Sequence, residues 1–328
     1  MIERRKFLIG LVALYAASTR GQTPERAGKP VRVGILAPTS AAKQVSEKPF
    51  VDAMRELGWV EGRNIVYDRG YADDDEARLP ALAVALVSRG SNVIYAFGNQ
   101  ATLAAFAATR TIPIVFGLVG DPIALGLIKT LPHPGGNVTG VANIGWELGG
   151  KRLQLLKQAL PKISRVGVLV QSFHQDSLRE LKLIEQAAAT LRVTVVPVMA
   201  KESREIDGAF RSLAKGRAEA LLTTHTYLFI TNDRKHILAL AAKQRLPVVG
   251  PRGNFAEDGA LLSYGSIMAE QFQRAAQLTD KILKGAKPAD LPTELPTKFE
   301  LIVNMKTAKT LGIKIPGEIM LQAIRVIE

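Results

Sequence analysis

The chain uses one pattern twice. Arg165-Val166-Gly167-Val168-Leu169 reproduces Arg32-Val33-Gly34-Ile35-Leu36 with one conservative change, 133 positions later. Leu246-Pro247-Val248-Val249 echoes Ile112-Pro113-Ile114-Val115 at an offset of 134. Each run is short, apolar and β-branched, the character of a buried strand. Two echoes at nearly the same spacing argue for two lobes of similar architecture. A chain of 328 residues, 47% of them apolar, can supply a full core to each.

Between these anchors strand and helix alternate. In the first half strands are expected at 31–36, 64–68, 93–97 and 112–116, with helices over 49–57, 78–89, 100–109 and 122–131. In the second half strands are expected at 165–169, 194–198 and 219–223, with helices over 177–191, 206–215 and 231–243. Such alternation calls for parallel sheets covered on both faces, hence an α/β fold of two doubly wound, Rossmann-like lobes. The tail adds a strand at 261–265, an amphipathic helix at 268–283, a strand at 299–304 and a last helix opening at Ile315-Pro316. It is too short to bury a core of its own, so it returns to the existing lobes. The expected division is 31–141 plus 265–290 for lobe 1 and 142–264 plus 291–328 for lobe 2, joined by several crossings that form a hinge.

The amino terminus reads as an export signal over residues 1–22. Glu3-Arg4-Arg5-Lys6 is charged, Phe7 to Ala17 is apolar, and Ala16-Ala17-Ser18 offers small residues for cleavage. Arg4-Arg5-Lys6-Phe7-Leu8 also resembles a twin-arginine signal, and the export route stays open. Export places the mature chain in the periplasm. The segment carries +3 of the formal +13, which leaves +10. Its Lys and Arg are dispersed and no nucleic-acid motif accompanies them, so nucleic acid is not an expected partner. With no cysteine the chain has neither disulfides nor thiolate chemistry.

Several motifs together carry a family resemblance. They are Leu57-Gly58-Trp59-Val60-Glu61-Gly62-Arg63-Asn64, Ile112-Pro113-Ile114-Val115, Asp121-Pro122, Pro134-Gly135-Gly136-Asn137-Val138-Thr139-Gly140, Ser263-Tyr264-Gly265 and Ala308 with Leu311-Gly312-Ile315-Pro316. The chain resembles ABC-transporter substrate-binding proteins of the tryptophan- and tyrosine-binding type. The resemblance implies a type I periplasmic binding protein fold, a small-molecule ligand held between two lobes, an ABC permease as partner, and no catalysis. A monomer is expected, with a periplasmic sensor as the alternative role. One departure stands out: where the family starts a loop with Asn-Pro, this chain has Gln171-Ser172-Phe173-His174-Gln175-Asp176-Ser177.

Ligands of open parallel sheets sit at the carboxyl ends of the strands. The candidates there are Thr39, Ser40, Gly98, Asn99, Gln100 and Asp121 in lobe 1. In lobe 2 they are Ser172, Phe173, Asp176, Thr224, Tyr227 and Asn254, and Asn143 lies at the crossover. Thr39, Ser40, Asn99 and Gln100 suit a ligand carboxylate at helix amino termini. Asp121 or Asp176 suits an ammonium, and Phe173, Tyr227, Trp146 or Tyr264 suits a ring. Asp121 also fits as the cap of a helix starting at Pro122, and Thr39, Ser40 and Asn99 as caps of theirs; both roles stay open. No dinucleotide fingerprint, P-loop or nucleophile elbow is present. His133, His174, His225 and His236 form no helix-face metal pair, so neither cofactor nor metal is expected. His225 is the histidine placed nearest a ligand.

Overall fold

The computed structural model describes residues 29–43, 45–226 and 228–328. The export segment therefore lies outside the described residues. In the first half β1 (Val31–Ala37), α1 (Glu47–Glu56), β2 (Ile65–Tyr71) and α2 (Leu79–Ser88) are followed by β3 (Val93–Phe97), α3 (Gly98–Ala108), β4 (Ile114–Val119) and β5 (Val138–Ala142). The strands form one parallel sheet in the order β2-β1-β3-β4-β5.

The chain then crosses through α4 (Gly149–Ala159) into β6 (Arg165–Gln171), α5 (Gln175–Leu191), β7 (Thr194–Ala200), α6 (Ile206–Lys215) and β8 (Ala220–Thr223). It continues through α7 (Arg234–Lys243), β9 (Val248–Gly250), α8 (Gly253–Glu257), β10 (Leu262–Ser266) and α9 (Met268–Leu283). The end of the chain holds β11 (Phe299–Asn304), α10 (Met305–Leu311), α11 (Gly317–Gln322) and β12 (Arg325–Ile327). The second sheet runs β12-β11-β10-β9-β8-β6-β7, with β10 antiparallel to β11 and the other neighbours parallel.

The echoes in the sequence now have a geometric meaning. β1 and β6 each lie second from an edge and pair with the two strands that follow them in the chain, so β6-β7-β8-β9 repeats β1-β2-β3-β4. The fold class is thus two parallel-sheet α/β lobes. The chain passes between the sheets three times, after β5, between β10 and α9, and between α9 and β11. Although α9 comes late, its buried stripe of Ala275, Ala276, Leu278 and Ile282 packs with Val33, Tyr95, Val115 and Val141 of the first sheet. A 3.6-residue period delivers that stripe to one face.

The Pro134–Gly140 motif builds structure. Asn137 donates its side-chain amide to Ile112 O at 2.8 Å and aligns the entry into β5 beside β4. Thr139 donates to Leu291 O at 2.9 Å, which ties β5 to the third crossing. A Cβ on Gly140 would lie 2.3 Å from Phe116 O, so the neighbouring strand admits only glycine there.

Three expectations fail locally. Residues 122–131 form successive turns and not a helix, because Gly126 takes φ +69° and the chain dips to bury Leu127 and Ile128. α7 starts at Arg234, later than Thr231, since a wider π-type turn over Leu228–Asn232 precedes it. The tail after Asn304 contains two helices and an edge strand, where one helix was expected.

Candidate functional site

The carboxyl ends of the two sheets face each other. The loop after β4 brings Gly120 against Asp176 in the first turn of α5: a Cβ on Gly120 would lie 2.5 Å from Asp176 Oδ2. Asn99, in the first turn of α3, accepts the Gly120 N–H at 3.1 Å and fixes that loop. Arg179 Nη1 reaches Asp121 Oδ2 across the lobes at 3.0 Å and lies 3.5 Å from Asp176 Oδ1. Its guanidinium also lies 5.8 Å from the centre of the Trp146 ring, whose buried Nε1 meets no acceptor among the described residues. Asn99, Asp121, Asp176 and the crossover's Trp146, four candidates from four segments, thus come together where the lobes meet, the last three of them about Arg179.

The two aspartates divide. Asp121 is committed on both oxygens, since Oδ1 accepts from Ala124 N at 3.0 Å and Oδ2 pairs with Arg179. With no helix behind it, Asp121 caps a turn. Asp176 is the more buried of the two, and burial raises its pKa against the lowering effect of His174 and Arg179. A carboxylate held in that state gains from an added cation.

A charged network underlies this surface in lobe 2. Arg152 of α4 and Glu180 of α5 are both fully buried and pair with each other. Arg152 also donates to Gly145 O at 2.9 Å and Tyr264 O at 3.3 Å, while Glu180 accepts the His225 N–H at 2.6 Å. Arg252 Nε donates to His225 Nε2 at 3.2 Å, which assigns that nitrogen as the acceptor. Burial, then the Arg252 and Arg152 charges, hold the His225 pKa well below its usual value. His225 is therefore a neutral support between two arginines. Arg252 further reaches Met268 Sδ at 3.0 Å, so the loop after β9 touches the start of α9.

The remaining candidates separate by what their polar atoms do. Thr224 shares its hydroxyl with Ser177 at 2.6 Å and Leu169 O at 3.1 Å, which makes it a brace within lobe 2. Asn143 caps the crossover by accepting the Gly145 N–H at 3.0 Å. Phe173 points outward at 81% exposure with φ +67°, and the structure does not bring it to the other candidates. Gln100 is exposed and Ser40 and Ser172 are half-buried, without side-chain bonds that place them in the cluster. Gly98 opens α3 at φ +82°. Thr39 Oγ1 and Asn254 Oδ1 are buried without a partner among the described residues, as expected of atoms that wait for a ligand or water. Tyr264 stacks on Phe299 at 6.2 Å within lobe 2. Tyr227 lies outside the described residues.

Reading the sequence did not single out Arg179, Arg152, Glu180 or Arg252. One signal was available. Glu180 interrupts the buried stripe Ser177, Leu181, Ile184 and Ala188 of α5, and a charged residue on such a stripe requires a partner.

Two α/β lobes meeting at the carboxyl ends of their sheets, with polar groups from both at the seam, define a two-lobed binding protein. The chain belongs to the ABC transporter substrate binding protein family, whose model matches residues 32–327. The tyrosine-binding protein of Clostridioides difficile is 28% identical over 269 residues, covering 82% of this chain and 77% of the relative. A ligand-free, open substrate-binding protein with adhesive properties from Clostridium difficile superimposes with a TM-score of 0.72 at 27% identity, covering 91% of this chain and 99% of that one. A Streptococcus ABC domain in complex with L-Trp gives a TM-score of 0.81 at 23% identity, covering 91% and 100%, and shows the shared fold. Among the described residues no helix is long and apolar enough to cross a membrane.

Proposed function

We propose that this chain is the exported receptor of an ABC importer and captures a zwitterionic amino acid with an aromatic side chain between its lobes. Asp176 carries the reading: a half-buried carboxylate at the interlobe seam, against the Gly120 loop and beside the Arg179 guanidinium that also faces the Trp146 indole, takes the ligand ammonium. The relative that binds tyrosine supports the aromatic class. We favour Asp176 over Asp121 because both Asp121 oxygens are taken, by Arg179 at 3.0 Å and by the Ala124 N–H, whereas Asp176 has only a longer 3.5 Å contact with Arg179. Buried Thr39 Oγ1 is the donor for the carboxylate end. Contacts to both lobes favour the closed form, which then docks on a permease at the periplasmic face of the membrane.

The test is a thermal-shift and calorimetric titration of the mature protein with L-tyrosine, L-tryptophan, L-phenylalanine, phenylpropionate and phenethylamine. Ligand at 100 times its dissociation constant adds about 2.7 kcal/mol of stability. The aromatic amino acids stabilise the wild type and lose affinity at least tenfold in Asp176→Asn. Equal binding of phenylpropionate sinks the ammonium role, and stabilisation by none of the five sinks the ligand class.

A further inference from the structure

A cavity at the hinge shares no lining residue with the interlobe cluster. It has a volume of about 280 Å³ and is lined by Val141 of β5, Glu270, Gln271 and Arg274 of α9, and residues 294–297 of the third crossing. That is about nine waters' worth of space, and at the small end for a ligand site. Val141, Leu295 and Pro296 give it an apolar side.

On its polar side Arg274 is engaged with Glu294 and Gln277, while two acceptors stay unmet. Gln271 is 1% exposed; its amide nitrogen donates to Ser266 Oγ at 2.8 Å, yet its Oε1 receives no hydrogen bond among the described residues. Glu270 Oε2, next along α9, is likewise buried and unpartnered. The other Glu270 oxygen accepts only weakly, from Thr297 at 3.4 Å and beside a Lys298 ammonium that is 3.5 Å away and 70% exposed. Glu294, by contrast, is firmly held by Arg274 at 2.5 Å. Two buried acceptor oxygens on adjacent residues, one of them on a carboxylate whose Lys298 partner is largely exposed and sits 3.5 Å from its other oxygen, are costly to leave unmet. They match a donor that carries positive charge and has no acceptor of its own, which describes an ammonium.

From the cavity, its apolar wall and its paired acceptors, we infer that the hinge pocket is a second binding site for a small primary amine with a short aliphatic body. The amine places its ammonium on Glu270 Oε2 and Gln271 Oε1 and its carbons against Val141, Leu295 and Pro296. It touches β5, α9 and the third crossing together, so it braces the hinge.

The experiment titrates n-butylamine into the mature protein by calorimetry, with butanol and butyrate as controls, for the wild type, Glu270→Gln, Gln271→Leu and Asp176→Asn. Butylamine is expected to bind once per chain, at least tenfold more tightly than butanol, and butyrate not to bind. Glu270→Gln and Gln271→Leu should each weaken it at least tenfold while keeping the wild-type circular dichroism. Asp176→Asn should leave it unchanged, which separates this site from the interlobe one. Absence of binding overturns the proposal, as does equal binding of butanol. So does loss of amine binding in Asp176→Asn with retention in Glu270→Gln, since the amine then sits in the cleft.

Discussion

Replacing Glu180 with leucine removes one half of a fully buried ion pair and leaves the other half in place. Arg152 then keeps Gly145 O and Tyr264 O as neutral acceptors and a guanidinium with no counter-charge; its Nε already meets no acceptor among the described residues. The His225 N–H loses its carboxylate as well. Breaking such a pair from one side costs about 3–5 kcal/mol. For a unit of lobe size, 1 kcal/mol shifts the melting temperature by about 2–4 °C, so Glu180→Leu should lower it by on the order of 10 °C. Arg152→Met should do comparable harm by stranding Glu180. The double variant should lose clearly less than the sum of the singles, because the two apolar side chains need no partner, although the His225 N–H still lacks its acceptor. Calorimetry and urea unfolding of the four proteins give the coupling energy directly. A cost below about 1 kcal/mol for Glu180→Leu, or a double variant that loses the sum of the singles, would refute the account of this network.

His225 gives a pH signature. Its folded pKa lies well below the unfolded value, so the unfolded chain binds the extra proton and stability falls as pH drops from about 6.5 toward the folded pKa, by at most ~1.4 kcal/mol per unit. His225→Gln, which keeps an acceptor for Arg252, should lack that contribution in urea unfolding at pH 7.5 and 5.5. Arg179→Gln removes an interlobe pair whose side chains are 41% and 32% exposed, and such pairs contribute about 0.2–1 kcal/mol. Ligand affinity should therefore fall by no more than about fivefold, and X-ray scattering should show a larger open fraction and less response to salt. Gly140→Ala forces a Cβ into Phe116 O, and should cost at least ~1–3 kcal/mol in thermal unfolding, whereas Gly136→Ala, with nothing within 4 Å, should be near neutral.

The strands themselves were legible because each rests on a local run. Val33 to Leu36 and Val166 to Leu169 are apolar at consecutive positions, as strands covered on both faces must be, and their repetition announced two sheets. The buried stripe of α9 was legible for the same reason, since a helical period is written in consecutive residues. Residues 122–131 misled because apolar spacing alone does not register the left-handed turn at Gly126.

How the two acids share Arg179 was beyond the sequence. Asp121 and Asp176 read alike as acids in loops after strands, and only the meeting of the lobes sets Arg179 at 3.0 Å from Asp121 and 3.5 Å from the more buried Asp176. The same holds for the role of Thr224, decided by Ser177, 47 residues away. The residue order of this chain determines its elements, their repetition and the faces they bury, because those depend on spacing along the backbone. Charge pairing, desolvation and the unmet oxygens of Glu270 and Gln271 depend on distances between segments far apart in the chain, and those exist only once the lobes and the hinge have closed upon each other.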